Sequence, residues 1–471
     1  MAASTTVSKT IYIGAFVHCK SLAELDVCEK GAIGVDEHGT IQFVERRFSN
    51  VQDVQGRHAE WAGAHIVTLK ANNGFFFPGF VDTHTHAPQH PNTGLFGKTT
   101  LLDWLQKYTF PMESSFSDVA RAKRIYANFV ARTLAHGTTT CAYYATIHVA
   151  ATNVLADTCL RRGQRALVGR VCMDSELSPA DYRDGSVERS VADSAACIAH
   201  MRRIDPDGTL VRPVVTPRFA PACTPACLSA MGQLARDHDT FIQTHISENK
   251  DEIALVARLF PHSDSYAHVY DAHALLTPKT ILAHAIHLSP AERALLLARG
   301  AKIAHCPASN TALTSGCCPV RDLLDQGHTV GLGTDVSGGF SPSILENVRH
   351  AIWVSRHLAY QTANDRNKLA TEEALWLATR GGAHVLGLQQ KVGAFEVGMD
   401  WDAQMICLPG VSAGEQGEDD LVDGQVDVFG WENWHELVEK WVYSGDDRNT
   451  VAVWVKGRLV HWTSGYGGVD A

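Results

Sequence analysis

Apolar and polar positions alternate in a repeating order along the middle of the chain. Short runs rich in Val, Ile and Thr are interspersed with longer segments of helical periodicity, such as Val119–Ala135, Pro225–Asp237 and Pro290–Arg299. There are eight short runs: Gly79–His86, Thr138–Ala145, Ala166–Cys172, Leu210–Pro217, Phe241–Ser247, Thr280–His287, Ala301–Cys306 and Thr329–Thr334. Strands that alternate with helices in this way predict an α/β fold with a parallel sheet, here a (β/α)8 TIM-like barrel.

The two ends of the chain have a different pattern. They contain β-like segments separated by turns rich in Asp and Gly: Lys9–Phe16, Ala32–Val44 and Val451–Trp462. Asp36–Gly39 and Lys456–Gly457 are typical of hairpin turns. We predict that residues 1–70 and 396–471 form one small β-sandwich domain beside a barrel formed by residues 71–395. Ser412–Gln425, which is acidic and lacks periodicity, is predicted to be a surface loop.

The composition of the chain indicates which class of partner it binds. The chain has 471 residues, 45% of them hydrophobic, and a net charge of -10. This charge, without any cluster of Lys and Arg, disfavours binding to nucleic acid or an anionic membrane, so a small-molecule substrate is expected. The first ten residues lack the charged region followed by an apolar region that is typical of a signal peptide. No apolar stretch approaches the length of about 18 residues that a membrane span needs. We therefore expect a cytoplasmic protein.

The number and spacing of the cysteines are consistent with a cytoplasmic location. The chain has twelve of them, scattered along its length, and they are interpreted as free thiols in a reducing compartment. Cys223 and Cys227 are separated by three residues rather than by the two typical of a zinc ribbon. We predict a structural role for both.

His84 and His86 end the first predicted strand. Side chains at positions i and i+2 of a strand point to the same face, so both imidazoles could bind one metal ion. Chance alone could place two of the 24 histidines at this spacing. The pair gains weight only if other predicted strands also end in metal ligands.

Three more predicted strands do so. His245 ends the fifth, His284 lies in the sixth, and Asp335 follows the eighth. In a barrel of this type the carboxyl ends of the strands converge on one site. Imidazole suits zinc, which in catalytic sites keeps one coordination position for water. His284 could instead bind the water rather than the metal, and the sequence leaves both roles open.

Glu248 lies three residues after His245, where the chain turns into a helix. Zinc lowers the pKa of a bound water from 15.7 to about 7, and Glu248 is placed to accept the proton and pass it to the substrate. The alternative is a carboxylate that interacts only with the dipole of the following helix.

The sequence disfavours two other metal arrangements. The fourth run, Leu210–Pro217, has no lysine that could bridge two metals after modification, so one zinc per chain is predicted. His58-Ala59-Glu60 matches half of another zinc-deaminase motif, but no Pro-Cys-x-x-Cys follows it. We interpret His58 and Glu60 as surface residues of the β domain.

The motifs as a set resemble the amidohydrolase superfamily, over most of residues 70–400. The resemblance rests on Pro78-Gly-Phe-Val-Asp-Thr-His84-Thr-His86, His245, His284, His305-Cys-Pro-Ala-Ser-Asn310 and Gly333-Thr-Asp335. Within the superfamily the chain is similar to the branch that deaminates guanine. That similarity rests on His86-Ala-Pro-Gln89, Leu102–Glu113, Val171-Cys-Met-Asp174, Thr216-Pro-Arg218-Phe219-Ala-Pro221 and Thr244-His245-Ile-Ser-Glu248-Asn249.

The resemblance implies a function and a site. One zinc ion is expected on His84, His86, His245, His284 and Asp335. Guanine is expected to contact Gln89, Arg218, Phe219, His245 and Glu248. Water activated by the metal would attack the amino-bearing carbon, with Glu248, Asp335 and His284 as catalytic residues, and the products would be xanthine and ammonia. The resemblance also implies a homodimer.

Alternatives remain at the level of the substrate and the class of protein. The ring could be 8-oxoguanine, a pterin, cytosine or a triazine, although Gln89 and Arg218 favour guanine. A scaffold protein without catalysis is a further alternative, and the retained ligands argue against it. Tyr108–Glu113 could be a loop over the site or a packing element.

Overall fold

The structure is a computed structural model that describes residues 7–69, 73–408 and 425–463. The predicted acidic loop Ser412–Gln425 lies outside the described residues except for Gln425. The strands are β1 Thr10–Ser21, β2 Glu24–Val35, β3 Ile41–Glu45, β4 His65–Thr68, β5 Gly74–Pro78, β6 Phe80–His86, β7 Thr138–Tyr144, β8 Arg165–Gly169, β9 Val171–Cys172, β10 Val211–Pro217, β11 Phe241–Ile246, β12 Thr280–His284, β13 Lys302–His305, β14 Val330–Leu332, β15 Ala403–Cys407, β16 Thr450–Val455 and β17 Arg458–Trp462.

Helices separate most of the barrel strands. They are α1 Val51–Arg57, α2 Leu101–Trp104, α3 Phe110–Ser114, α4 Val119–Ala135, α5 Val149–Arg162, α6 Val187–Ile204, α7 Pro225–Asp237, α8 Lys250–Leu259, α9 Tyr266–Ala272, α10 Pro290–Arg299, α11 Pro307–Ala312, α12 Val320–Asp325, α13 Ile344–Thr362, α14 Thr371–Trp376, α15 Gly382–Val385 and α16 Trp434–Ser444. The three helices predicted from periodicity, α4, α7 and α10, have the predicted bounds. No helix among the described residues is long and apolar enough to cross a membrane.

Local sequence explains why α10 begins and ends where it does. Ser289 accepts a hydrogen bond from the backbone of Glu292, whose side chain accepts one in return from the Ser289 backbone, and Pro290 occupies the first turn. Gly300 ends the helix with a φ of +69°, a left-handed conformation that glycine adopts without steric cost. The helix ends are therefore encoded locally.

The predicted barrel is confirmed. Parallel pairing runs in the order β6, β7, β8, β10, β11, β12, β13, β14, and β9 extends the third strand along β10. The first and last strands approach each other at the seam, where Thr83 Oγ1 donates to Leu332 O at 2.8 Å and Asp335 N donates to His84 O at 2.9 Å. The second of these bonds places Asp335 beside the histidine pair.

The third predicted run is interrupted. Arg170 separates β8 from β9, and its guanidinium forms a buried ion pair with Asp184 from the following loop. A charged side chain this well buried needs a paired carboxylate. This ion pair lies at the interruption between β8 and β9.

Strands from both termini form a second sheet, as predicted for the composite β domain. Its order is β17, β16, β15, β5, β1, β2, β3, with β4 paired to β1. Both predicted hairpins are present, with Gly39 and Gly457 at φ values of +77° and +74° in the turns. β5 lies beyond the proposed boundary at residue 70 and pairs in this sheet, while the boundaries themselves stay predictions.

A buried ion-pair network attaches this sheet to the amino end of the barrel. Arg165, the first residue of β8, donates from Nε to Asp402 and from Nη2 to Asp400, both at 2.7 Å. Its Nη1 donates to Thr209 O at 2.9 Å. Asp402 also accepts from the Lys456 backbone at 2.8 Å, so barrel and sheet share one charged contact.

Candidate active site

The predicted metal ligands converge at the carboxyl ends of the barrel strands. His84 and His86 occupy alternate positions in β6, His245 lies in β11, His284 ends β12, and Asp335 follows β14 by three residues. Four of the five residues are buried, at 6% exposure or less, and His245 is partly exposed. The parallel strand order alone explains how residues up to 251 positions apart become neighbours.

The donor atoms lie close enough to share one ion. His84 Nε2 is 3.1 Å and His86 Nε2 is 3.4 Å from Asp335 Oδ1. His86 Nε2 is 3.2 Å from His245 Nε2. Donor atoms of His84, His245 and His284 lie within 4.8 Å of one another, as do those of His84, His86 and Asp335.

Hydrogen bonds orient two of the imidazoles. His245 Nδ1 donates to the carbonyl oxygen of Arg218 at 2.6 Å, and His284 Nδ1 donates to Asn310 Oδ1 at 2.8 Å. Because Nδ1 carries the proton, Nε2 of each ring carries a lone pair directed at the cluster. Partners of this type fix the tautomer of histidines that bind metals.

At His86, His245 and Asp335 the electrostatics favour the protonation states that a metal requires. At His284 burial lowers the pKa, but the carboxylates of Glu248 and Asp335 outweigh it and raise the pKa. Burial lowers the pKa of His86 and His245 well below the usual value, and neighbouring histidines lower each pKa further. Burial alone would raise the pKa of Asp335, but nearby histidines, above all His84, bring that pKa down to about 2. Neutral imidazoles beside an ionised carboxylate form a suitable donor set for zinc.

Glu248 points into the same centre. Its Oε2 is 3.4 Å from His284 Nε2, and its Oε1 accepts a hydrogen bond from Ser315 Oγ at 3.1 Å. Burial raises the pKa of Glu248 to about 7. The beginning of α8 is capped instead by Asn249 and Glu252, so the alternative role of Glu248 as a helix-end charge is not needed to explain its position.

A cavity opens beside the cluster. It is lined by His86, Gln89, Leu101, Trp104, Leu105, Arg218, Phe219, His245, Glu248, His284, Leu313 and Asp335. The sequence-predicted substrate residues therefore border one cavity with four of the predicted ligands. Leu101, Trp104 and Leu105 supply an apolar wall from the segment that precedes α3.

Gln89 and Arg218 are held by a residue whose role the sequence left open. Glu113, at 0% exposure, accepts from Gln89 Nε2 at 2.8 Å and from Arg218 Nη1 at 2.5 Å and Nη2 at 3.1 Å. The segment Tyr108–Glu113 was expected either to cover the site or to pack. Glu113 anchors the cavity-lining side chains of Gln89 and Arg218. The sequence does not reveal this role, because Glu113 and Arg218 lie 105 positions apart.

Asn310 and Ser315 were also missed as contributors. Asn310 belongs to the quoted motif His305–Asn310 and orients His284, whereas Ser315 contacts Glu248. The presence of Asn310 in that motif was the signal that could have identified it. Ser315 lies outside every motif that we identified.

The remaining sequence candidates lie elsewhere. His58 stacks on Phe43 at 3.8 Å between ring centroids and approaches Glu45 at 3.0 Å, in the terminal β region.

Cys223 and Cys227 are buried near Asp174, and one sulfur or carboxylate oxygen of each residue lies within 4.8 Å of the other two. Both carboxylate oxygens of Asp174 already accept hydrogen bonds from Thr224 at 2.7 Å, which agrees with a structural role.

Comparison with known proteins agrees with this geometry. The model of the "Amidohydrolase family" matches residues 75–460. The "Probable guanine deaminase" of Schizosaccharomyces pombe is 45% identical over 452 residues, covering 96% of this chain and 83% of that protein. The guanine deaminase of Homo sapiens is 38% identical over 450 residues, covering 96% of each chain.

A solved structure is similar over the same length. Guanine deaminase from C. acetobutylicum, crystallised with guanine bound in its active site, has a TM-score of 0.85 and 32% identity, covering 96% of this chain and 100% of that one. The shared barrel, the matched length and the strand-end histidines all lead to one assignment. The chain belongs to the amidohydrolase family.

Proposed function

We propose that this protein hydrolyses guanine to xanthine and ammonia in a metal-dependent reaction. The observation that carries the proposal is the single cavity that Gln89, Arg218 and Phe219 share with Glu248 and the His/Asp cluster. The guanine deaminases to which the chain is similar over nearly its full length support the choice of substrate.

The proposed metal ligands are His84, His86, His245, His284 and Asp335. Their donor chemistry, four imidazoles and one carboxylate, suits one zinc ion per chain. When bound, zinc supplies a Lewis acid that makes water a nucleophile at neutral pH. Every other function of the site is assigned to the side chains of the protein.

Glu248 is the proposed proton carrier. A carboxyl whose pKa is raised to about 7 by burial can both accept and donate a proton at neutral pH. It would accept a proton from the attacking water and deliver protons to the ring nitrogen and to the departing amine. Ser315 and His284, on either side, hold the carboxylate toward the cavity.

Asp335 and His284 complete the proposed catalytic group. Asp335 lies against three of the histidines and stays ionised, so it can accept a second proton from the water. The Nε2 atom of His284 faces both Glu248 Oε2 and Asp335 Oδ2, at 3.4 and 3.8 Å. In that position it can bind either the metal or the attacking water.

Recognition of the purine is assigned to Gln89, Arg218, Phe219 and His245. Gln89 has one amide proton beyond its bond to Glu113, and this donor suits an acceptor atom on a purine edge. Its Oε1 already accepts from N and Oγ of Ser337. Arg218 can donate to the ring carbonyl. The ring of Phe219, which is 8% exposed, can cover a flat heterocycle.

The direct test follows guanine loss and xanthine formation by ultraviolet absorbance, with ammonia release measured in parallel. A panel of 8-oxoguanine, a pterin, cytosine and an aminotriazine serves as comparison. We expect the highest kcat/KM for guanine and loss of turnover after chelation. A clear preference for another ring would replace the substrate, and absence of stoichiometric metal would support the non-catalytic scaffold.

Assembly and location are proposed separately. We propose a homodimer in the cytoplasm. The resemblance to the family supports the dimer, and the twelve free cysteines suit a reducing compartment. Light scattering after size-exclusion chromatography tests the first, since a monomer mass would reject it, and cell fractionation tests the second.

A further inference from the structure

Glu113 is a buried carboxylate directly behind the wall of the cavity. It accepts four side-chain hydrogen bonds, two from Arg218, one from Gln89 and one from Tyr182 Oη at 2.7 Å. It does not itself line the cavity, whereas Gln89 and Arg218 do. Glu113 therefore acts on a ligand through those two side chains.

Its contacts determine how Gln89 faces the cavity. Gln89 Nε2 donates to Glu113 at 2.8 Å, while Gln89 Oε1 accepts from Ser337 N at 3.1 Å. A rotated amide would place its oxygen against a carboxylate and its NH2 group against a backbone N–H, so only one orientation satisfies both partners. Because N and Oγ of Ser337 both donate to Gln89 Oε1, the amide presents one defined donor, its remaining N–H, to the ring.

The same carboxylate holds the guanidinium of Arg218. The two oxygens of Glu113 pair with the two terminal nitrogens of Arg218, and this forked geometry fixes the plane of the guanidinium. The ring of Phe110 lies 5.2 Å below it. In the described residues the side-chain hydrogen bonds of Arg218 all go to Glu113, so Nε and the remaining N–H groups stay available for a ligand.

The pair also sets the charge of this wall. Arg218 is 2% exposed and Glu113 is 0% exposed, so water screens neither charge well. Together they are neutral, and the wall offers hydrogen-bond donors without a net positive charge. An unpaired Arg218 would instead attract anions into the cavity.

We propose that Glu113 is a positioning residue that fixes Gln89 and Arg218 and neutralises Arg218, so that the cavity favours an uncharged ring over an anionic one. The proposal rests on the proposed function. In that reaction a carbonyl replaces an amino group, which makes the ring more acidic. The product therefore becomes an anion more readily than the substrate, and a neutral wall helps to release it.

The test compares inhibition by urate, a purine anion at neutral pH, with inhibition by hypoxanthine, a neutral purine. In E113Q the guanidinium loses its counter-charge. We expect the inhibition constant for urate, relative to that for hypoxanthine, to fall about tenfold or more. We also expect kcat/KM for guanine to fall by about tenfold or more as Gln89 and Arg218 lose their fixed orientation. Metal content should stay that of the parent enzyme.

The variant R218Q should change the inhibition constant for urate, relative to that for hypoxanthine, in the opposite direction. It keeps the inference testable if E113Q does not fold. It leaves Glu113 as the unpaired charge, so urate inhibition should weaken about tenfold or more relative to hypoxanthine. Y182F is the matched control, because it removes one hydrogen bond from Glu113 and leaves both charges. Its urate-to-hypoxanthine ratio should stay within about twofold of the parent.

Each result has one consequence. A ratio that is unchanged in folded, metal-loaded E113Q, or that moves in the same direction in R218Q, overturns the inference. Equal shifts in Y182F and E113Q would assign the effect to loosened packing and also overturn it. If the parent enzyme does not turn over guanine, the proposed function fails, and this result is separate from a failure of Glu113.

Discussion

Two buried arginines occupy opposite ends of the same barrel. Arg165, at the amino end, donates from Nε and both terminal nitrogens to Asp400, Asp402 and the Thr209 carbonyl. Among the residues that the structure describes, Arg218, at the carboxyl end, makes side-chain hydrogen bonds through its two terminal nitrogens alone, and both go to Glu113. The first arginine is almost fully saturated by the protein, whereas the second has donors left beside a cavity.

Burial and pairing of a charge do not by themselves indicate function. Both arginines are at most 4% exposed, and for both the nearby carboxylates outweigh burial and raise the pKa. What separates them is the end of the barrel on which they lie. The amino end joins the terminal sheet, and the carboxyl end collects loops that surround a ligand.

The largest expected effect is metal removal at the carboxyl end. Dialysis against a chelator should reduce guanine turnover below detection, because the attacking water then has no Lewis acid to activate it. Added Zn²⁺ should restore turnover, as measured by absorbance and metal analysis. Full activity without metal would remove the chemical difference between the two ends.

Next in size is Glu248→Gln. We expect kcat to fall by about 10²–10⁴, because the proton carrier is lost while the predicted ligands remain. Metal content and thermal unfolding should match the parent. Near-parent kcat in the substituted enzyme would reject the assigned role.

At the amino end, Arg165→Met should reduce stability rather than catalysis. It leaves Asp400 and Asp402 buried without their cation, which typically costs about 3–5 kcal/mol of unfolding free energy. Urea unfolding measures the loss, and kcat per folded molecule should stay within about twofold of the parent.

Lys456→Met is the matched control for that substitution. Lys456 Nζ lies 3.5 Å from Asp400 and is 32% exposed, so its loss should cost only about 0–1 kcal/mol. Equal destabilisation by both substitutions, or a large fall of kcat in Arg165→Met, would contradict the division between the two ends.

The smallest effect is expected from His58→Ala in the terminal β region. Its ring stacks on Phe43, and a pair of this kind contributes about 0.5–1.5 kcal/mol. Thermal unfolding should shift slightly, with metal content and kcat unchanged. Loss of zinc from this variant would revive the rival His-x-Glu metal site.

Local sequence patterns were sufficient for most of the elements and for part of the site. Alternation of strands and helices predicted the barrel, and capping residues such as Ser289 and Gly300 mark helix ends through contacts within a few residues. The pair His84 and His86 was informative because β6 turns alternate residues to one face. Gln89 and Arg218 were found only through resemblance to a family.

Other buried polar contacts, in the site and at the amino end, could not be found in this way. The fourfold contact of Glu113, the bond from Ser315 to Glu248 and the pairing of Arg165 join residues that are 24 to 237 positions apart. Nothing in the immediate sequence of these residues distinguishes them from ordinary polar positions. Arg165 and Arg218 are even the same residue type, yet they lie at opposite ends of the barrel.

The sequence by itself determined the strand and helix order, the histidine pair in β6 and the polar residues at strand ends, because these depend on periodicity and on neighbours along the chain. Only the tertiary structure decided which charges pair and which donors remain free. Barrel closure brings loops from distant strands together. A charged side chain buried there is stable only if it contacts a suitable partner.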